Sequence, residues 1–89
     1  MRNETIALAD AIANLTRAQT QRPDVPRLQL LEEQVRGCTD PERLRKLAEM
    51  TDETIGDYVE QCGRRFGQWS VLESRVIDAT SVILDGVRP

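Results

Sequence analysis

Apolar residues recur along this chain at intervals of three and four, which is the spacing of one face of an α-helix. Leu8, Ile12 and Leu15 form such a line in a first segment that begins near Asn3 and ends near Gln19. Smaller or flanking apolar residues run beside it: Ile6, Ala9 and Ala13. No segment shows the period-two alternation or the β-branched enrichment of a strand. We therefore predict an all-α fold that fits one helical domain over residues 1–89.

Proline and glycine divide the next part of the chain. Pro23 disfavours a helical conformation at the residue before it, and Pro26 suits the first turn of a second helix. Gly37 is placed to cap the C-terminus of that helix. The apolar face of this predicted helix consists of Leu28, Leu31 and Val35.

Two further helix starts follow. Asp40 before Pro41 is a typical start, and Leu44 and Leu47 give the third helix, which we predict to be short, its inner face. Thr51 then predicts a new N-cap, since acidic residues follow it directly and suit a first turn.

From Ile55 onward a helical rotation of about 100° per residue keeps two lines in phase. The apolar line contains Ile55, Val59, Cys62, Phe66, Trp69, Val76, Thr80 and Val87. A second line, about a quarter-turn away, contains only small residues: Gly56, Gly63, Gly67, Ser70, Ser74 and Ser81. Because neither line changes phase at the glycines, we predict one long C-terminal helix over about 52–85.

Such a helix would be a rod on the order of 50 Å long. Short upstream helices cannot cover its whole apolar stripe, so we expect a dimeric helical bundle. The small residues would permit close approach by the partner helix and offset the cost of helical glycines, about 0.8–1 kcal/mol each. The alternative is a turn near 63–67, which would give a compact four- or five-helix monomer.

These patterns predict a protein interface on the long helix. Its residues are Tyr58, Cys62, Gly63, Phe66, Gly67, Trp69, Glu73 and Val76. Glu73 is the misfit within the apolar sector, and we expect it to pair with an arginine at the edge of a helix seam; contact with a foreign partner is the alternative. Cys62 is expected to be a core thiol.

Composition removes most chemistry from consideration. The chain has no histidine, and its two cysteines form neither a zinc motif nor a Cys–His pair, so we expect no enzyme, metal site or cofactor. The acidic group Asp52, Glu53, Asp57 and Glu60 is interpreted as a solvated N-terminal helix face.

Charge and apolar length also bear on partners and location. The net charge of −3 disfavours generic nucleic-acid binding, although 11 of the 12 basic residues are arginine. Asp10 and Asn14 interrupt the first apolar stretch, which predicts no export signal. No run approaches roughly 18 consecutive apolar residues, so we also predict no membrane span, and hence a cytoplasmic protein with reduced thiols.

Residues 38–70 loosely resemble the Hha/YmoA group of small helical proteins, which bind the nucleoid protein H-NS. The shared features are a short leucine-spaced helix, a Thr-Asp helix start, an aromatic residue near Tyr58 and an arginine six to seven residues later. The resemblance covers about a third of the chain, and the histidine-containing segment of that group is missing here. We therefore transfer no site residue from it.

These observations favour a non-enzymatic interaction module. We expect a homodimeric small regulator, inhibitor or co-chaperone that binds a larger protein complex through helix–helix contacts. The alternative is a nucleic-acid-associated transcriptional regulator that uses the arginines at 43, 45, 64 and 65.

Overall fold

Prolines and capping residues mark several helix ends in the part of the chain that the structure describes. The computed structural model describes residues 3–64 and 70–85. Within these ranges the chain forms α1 (Asn3–Ala18), α2 (Val25–Arg36), α3 (Pro41–Gln61) and α4 (Val71–Asp85), and no strand. The all-α prediction is confirmed.

The helices pack in a closed ring, in which α1 contacts α2 and α4, and α3 contacts the same two helices. All four helices contribute to one apolar core, made of Leu8, Ala9, Ile12, Leu15, Leu28, Leu31, Val35, Leu44, Leu47, Ala48, Ile55, Val59, Val76 and Ile83. The radius of gyration is 12.3 Å, against about 12 Å expected for a compact chain of this length. A 50 Å rod is therefore absent, since the longest dimension is 36 Å.

The predictions for the first half of the chain are largely confirmed. α1 has the predicted extent, and its line of Leu8, Ile12 and Leu15 is fully buried, whereas Ile6 is exposed. Pro26 lies in the first turn of α2, and Gly37 caps its C-terminus. These signals are local, so the sequence displays them directly.

The third helix starts as predicted but does not end where we predicted. The Asp40 side chain accepts a hydrogen bond from the backbone N–H of Glu42 at 3.1 Å. α3 then continues through Thr51, which is buried and donates its hydroxyl proton to the carbonyl of Leu47 at 2.7 Å. The prediction of a new helix start at Thr51 was therefore wrong. The Thr51 hydroxyl bonds to a backbone carbonyl of the preceding turn, within one continuous helix.

The predicted helix over 52–85 is also wrong, because α3 ends at Gln61 in a Schellman motif. Gly63 has a positive φ of 70°, and its N–H donates to the carbonyl of Glu60. The N–H of Arg64 donates to the carbonyl of Val59, which completes the pair of bonds that define this motif. The chain leaves the helix axis at Gly63, and α4 packs back against α3. The four-helix arrangement of the alternative prediction is the one observed.

The predicted line of small residues does not form one continuous helix edge, because α3 ends at Gln61 and Gly63 has a positive φ. A Cβ atom added at Gly56 or at Gly63 would meet no heavy atom within 4 Å. Gly67 lies outside the described residues. Gly63 therefore allows the positive φ at the end of α3. Gly56 lies within α3, with room for a larger side chain.

The apolar stripe divides between two helices. Ile55 and Val59 are buried on α3, and Val76 and Thr80 are buried on α4. Cys62 is exposed rather than in the core, because it follows the last residue of α3. It is a free thiol, as Cys38 is.

Gly56 within α3 and Gly63 just beyond its C-terminus give a matched test of these roles. We expect Gly56→Ala to stabilise the protein by up to about 1 kcal/mol, because alanine is the better helix former and the site is open. We expect Gly63→Ala to destabilise it by about 1 kcal/mol, because the left-handed conformation disfavours a Cβ atom. Urea unfolding measures both changes. Equal effects of the same sign would contradict this assignment.

Candidate functional site

A reciprocal capping box begins α4. The backbone N–H of Glu73 donates to the Ser70 hydroxyl at 3.2 Å, and the backbone N–H of Ser70 donates to Glu73 Oε1 at 2.9 Å. The carbonyl of Ser70 accepts the first helical bond, from Ser74. This Ser-x-x-Glu arrangement satisfies two donors that a helix N-terminus otherwise leaves open.

The same Glu73 carboxylate is an ion-pair centre inside the molecule. Its side chain is 0% exposed. Arg64 binds it with two parallel hydrogen bonds of 2.7 Å, and Arg22 donates to Oε2 at 2.8 Å. A carboxylate held by two guanidinium groups and a backbone N–H has most of its acceptor capacity filled.

Arg22 connects this carboxylate to the segment between α1 and α2. Its guanidinium also donates to both carboxylate oxygens of Asp24 at 2.8 Å and to Gln19 Oε1 at 3.0 Å. The guanidinium carbon lies 3.8 Å from the centroid of the Tyr58 ring, in cation–π geometry. We call this group the Glu73 cluster: Arg22, Asp24, Tyr58, Arg64 and Glu73.

The electrostatics of the cluster favour the charged carboxylate. Burial by itself raises the pKa of Glu73, but hydrogen bonds from Arg64, the Ser70 backbone and Arg22 outweigh it. Together they lower that pKa from 4.5 to about 2. The pKa of the neighbouring Tyr58 phenol is raised, chiefly by its side-chain hydrogen bond with Cys62.

The cluster is satisfied within the chain. Among the described residues, no buried side-chain nitrogen or oxygen lacks a hydrogen-bond partner. The cluster joins the α1–α2 segment, the end of α3 and the start of α4. Its geometry is that of a structural junction.

The predicted interface residues fall in different places. Glu73 and Val76 are fully buried in the interior of their own chain, so in this fold neither presents a surface to a partner. Tyr58 is half-buried beneath Arg22, while Cys62 and Gly63 are exposed at the end of α3. Phe66, Gly67 and Trp69 lie outside the described residues. The arginine partner predicted for Glu73 is confirmed, at a buried junction rather than at a seam edge.

Sequence reasoning missed the capping box and the place of Arg22 in this arrangement. The capping box was visible as Ser70-x-x-Glu73 before an apolar run, which is a recognised helix-start signal. Arg22 carried no such signal, since it lies in a polar connection and its partner is 51 residues away.

A second arrangement lies on the solvent side of α3. Six exposed side chains recur there at intervals of three and four, on what we call the α3 outer face: Arg43, Lys46, Met50, Glu53, Asp57 and Glu60. Within the described ranges none of its five charged residues forms an ion pair. A cleft of about 300 Å³ adjoins it toward α2 and has Glu53, Asp57 and Tyr58 on its α3 side.

The acidic residues of this face do not lie at a helix N-terminus, contrary to prediction. Because α3 begins at Pro41, Glu53 and Asp57 lie in its C-terminal half and Glu60 in its last turn. The negative end of the helix dipole disfavours further negative charge there. The last turn of α3 contains no basic residue to compensate.

Comparison of the chain with known protein families, with curated proteins and with solved structures found no match. In the part of the chain that the structure describes, no three histidine, cysteine or carboxylate side chains come together in a way that would hold a metal ion. None of the described helices is both long and apolar enough to cross a membrane.

Removal of the Glu73 carboxylate tests the junction. We expect Glu73→Ala to destabilise the protein by about 3–5 kcal/mol, because it breaks a buried ion pair and removes the α4 cap. Glu53→Ala is the matched control on an exposed carboxylate without an ion pair, and we expect a change within about 0.5 kcal/mol. Urea unfolding monitored by circular dichroism measures both. Similar losses in the two variants would contradict a special role for Glu73.

Acid unfolding tests the charge of Glu73. Its pKa is lower in the folded state, so its contribution is complete above about pH 4.5 and disappears as the pH falls toward about 2. The lost contribution is about 3 kcal/mol, given 1.36 kcal/mol per pKa unit. We expect the wild type to lose this much more stability than Glu73→Gln between about pH 5 and pH 2, measured by urea unfolding at each pH. Parallel curves for the two proteins would show that Glu73 does not titrate this way.

Proposed function

We propose that this protein is a non-enzymatic interaction module that works through helix–helix contacts. In this proposal it is a homodimeric small regulator, inhibitor or co-chaperone of a larger protein complex. The observation that carries the proposal is the α3 outer face, whose charged side chains are exposed and unpaired within the described chain.

The acidic residues of this face destabilise the C-terminal half of α3. Glu53 and Asp57 lie at a four-residue interval, and like charges at this spacing cost about 0.2–0.5 kcal/mol. Glu60, in the last turn, adds an unfavourable interaction with the helix dipole of about 0.3–1 kcal/mol. These carboxylates would therefore gain from contacts with cationic groups of another molecule.

The centre of the face suits a helix–helix contact. Met50 is 39% exposed near the middle of α3, with charged residues on both sides along the helix. Methionine is flexible and polarisable, so it adapts to the surface of a partner helix. An apolar centre with a charged rim is the usual composition of a protein interface.

The alternative, a nucleic-acid-associated regulator, has less support. Arg64 is bound to Glu73 by two hydrogen bonds, so its guanidinium is committed to the interior junction. Arg43 and Arg45 are exposed on α3. Arg65 lies outside the described residues. The remaining basic pair shares its helix with the acidic residues of the outer face, which repel a phosphate backbone.

Site-specific photo-crosslinking in cells tests the proposal. We expect a photoreactive amino acid in place of Met50 to form a covalent adduct with a second polypeptide, either another copy or a different protein. The same amino acid in place of Asp52 is the matched control, since Asp52 is exposed on α3 but points away from the outer face. Absence of any adduct at position 50, or equal adducts at both positions, would overturn the proposal.

A further inference from the structure

We propose that the α3 outer face pairs antiparallel with the same face of a second copy of this chain. The inference rests on the proposed function and goes further, because it names the occupant of the face and its register. The arrangement places the two-fold axis close to Met50, at the middle of both helices.

The charges on the face separate by sign along α3. Arg43 and Lys46 lie in the N-terminal half, and Glu53, Asp57 and Glu60 lie toward the C-terminal end. All five are exposed. Although Glu42 and Glu49 also lie in the N-terminal half of the helix, the outer face itself has a basic and an acidic half, so it is complementary to its own copy in reverse direction. A parallel pair would instead place like charges together.

The spacing of the six residues fixes one register. Their intervals are three, four, three, four and three, which is the pattern of residues that meet along a helix–helix seam. When the two-fold axis passes between positions 51 and 52, Arg43 meets Glu60 of the partner subunit and Lys46 meets Asp57 of the partner subunit. In the same register Met50 meets Glu53 of the partner subunit.

Two-fold symmetry doubles each of these contacts, as in any isologous interface. The axis falls close to the midpoint of α3, which spans Pro41–Gln61, so both helices are used along their full length. Each acidic C-terminal half also lies beside the basic, positively polarised N-terminal half of the other helix. The pairing therefore offsets the unfavourable dipole interaction that each chain has alone.

Affinity should be modest, because a single pair of helices makes a small interface. We expect a dissociation constant on the order of 10–100 µM at low salt, which is weaker binding than standard-size interfaces give. Exposed ion pairs are screened by salt, so the dimer should weaken as the salt concentration rises. Sedimentation equilibrium over a concentration series measures both.

Charge reversal at one predicted pair tests the register. Lys46→Glu puts two carboxylates together at both symmetry-related contacts, and Asp57→Lys puts two ammonium groups together. We expect each variant alone to dimerise roughly tenfold more weakly, because two attractive pairs become two repulsive pairs. An equimolar mixture of the two variants should recover wild-type affinity as a heterodimer, since both contacts then join opposite charges.

The matched controls are Arg45→Glu and Asp52→Lys. These positions are exposed on the same helix and undergo the same charge changes, but they lie about a third of a turn from the outer face. We expect both controls, alone or mixed, to dimerise as the wild type does. Sedimentation and native mass spectrometry together identify heterodimers by mass.

Three results would overturn the inference. The first is a wild type that stays monomeric up to about 500 µM, well above the expected affinity range. The second is single variants that dimerise normally, or controls that are weakened equally. The third is a mixture that fails to recover affinity. If the position-50 probe crosslinks to a different protein while any of these results holds, the proposed interaction with a larger protein complex stands and the self-pairing through the α3 outer face is rejected.

Discussion

The buried carboxylate of Glu73 is the interaction on which the rest of this fold depends. A charge without access to water is costly, and this one is retained because Arg64 and Arg22 surround it with short hydrogen bonds. Arg64 lies nine residues before Glu73, at the end of another helix, and Arg22 lies 51 residues before it, so the ion pairs are also a tertiary constraint. They hold the α1–α2 segment, the end of α3 and the start of α4 at one place. The apolar core fills the space that this junction defines.

Two backbone motifs make that junction possible. The Schellman motif at Gly63 releases the chain from α3, and the capping box at Ser70 starts α4 where its first turn reaches Arg22 and Arg64. Neither motif depends on the helical phase of apolar residues. This explains how an apolar stripe that runs in phase from Ile55 to Thr80 belongs to two helices that pack against each other.

The sequence therefore predicted the fold class and the first two helices, but not the arrangement of the second half. Local signals marked the end of α2 at Gly37 and the start of α3 after Asp40. Gly63 was also a local signal for a helix end. The uninterrupted apolar periodicity instead favoured one continuous helix, in which this glycine would permit close packing of a partner helix. For the site, an arginine partner of Glu73 was predicted from its position in an apolar sector. The identity of Arg22 was beyond reach, because no local pattern relates residues 51 positions apart.

A carboxylate that serves both as a helix cap and as a tertiary ion pair has a consequence for cooperativity. The first turn of a helix ordinarily frays in local fluctuations, so its amide protons exchange quickly with solvent. In α4 the opening of that turn would separate Glu73 from both arginines as well. Local fraying there is thus coupled to loss of the whole junction, so the first turn of α4 should open more slowly than the first turn of a helix without such contacts.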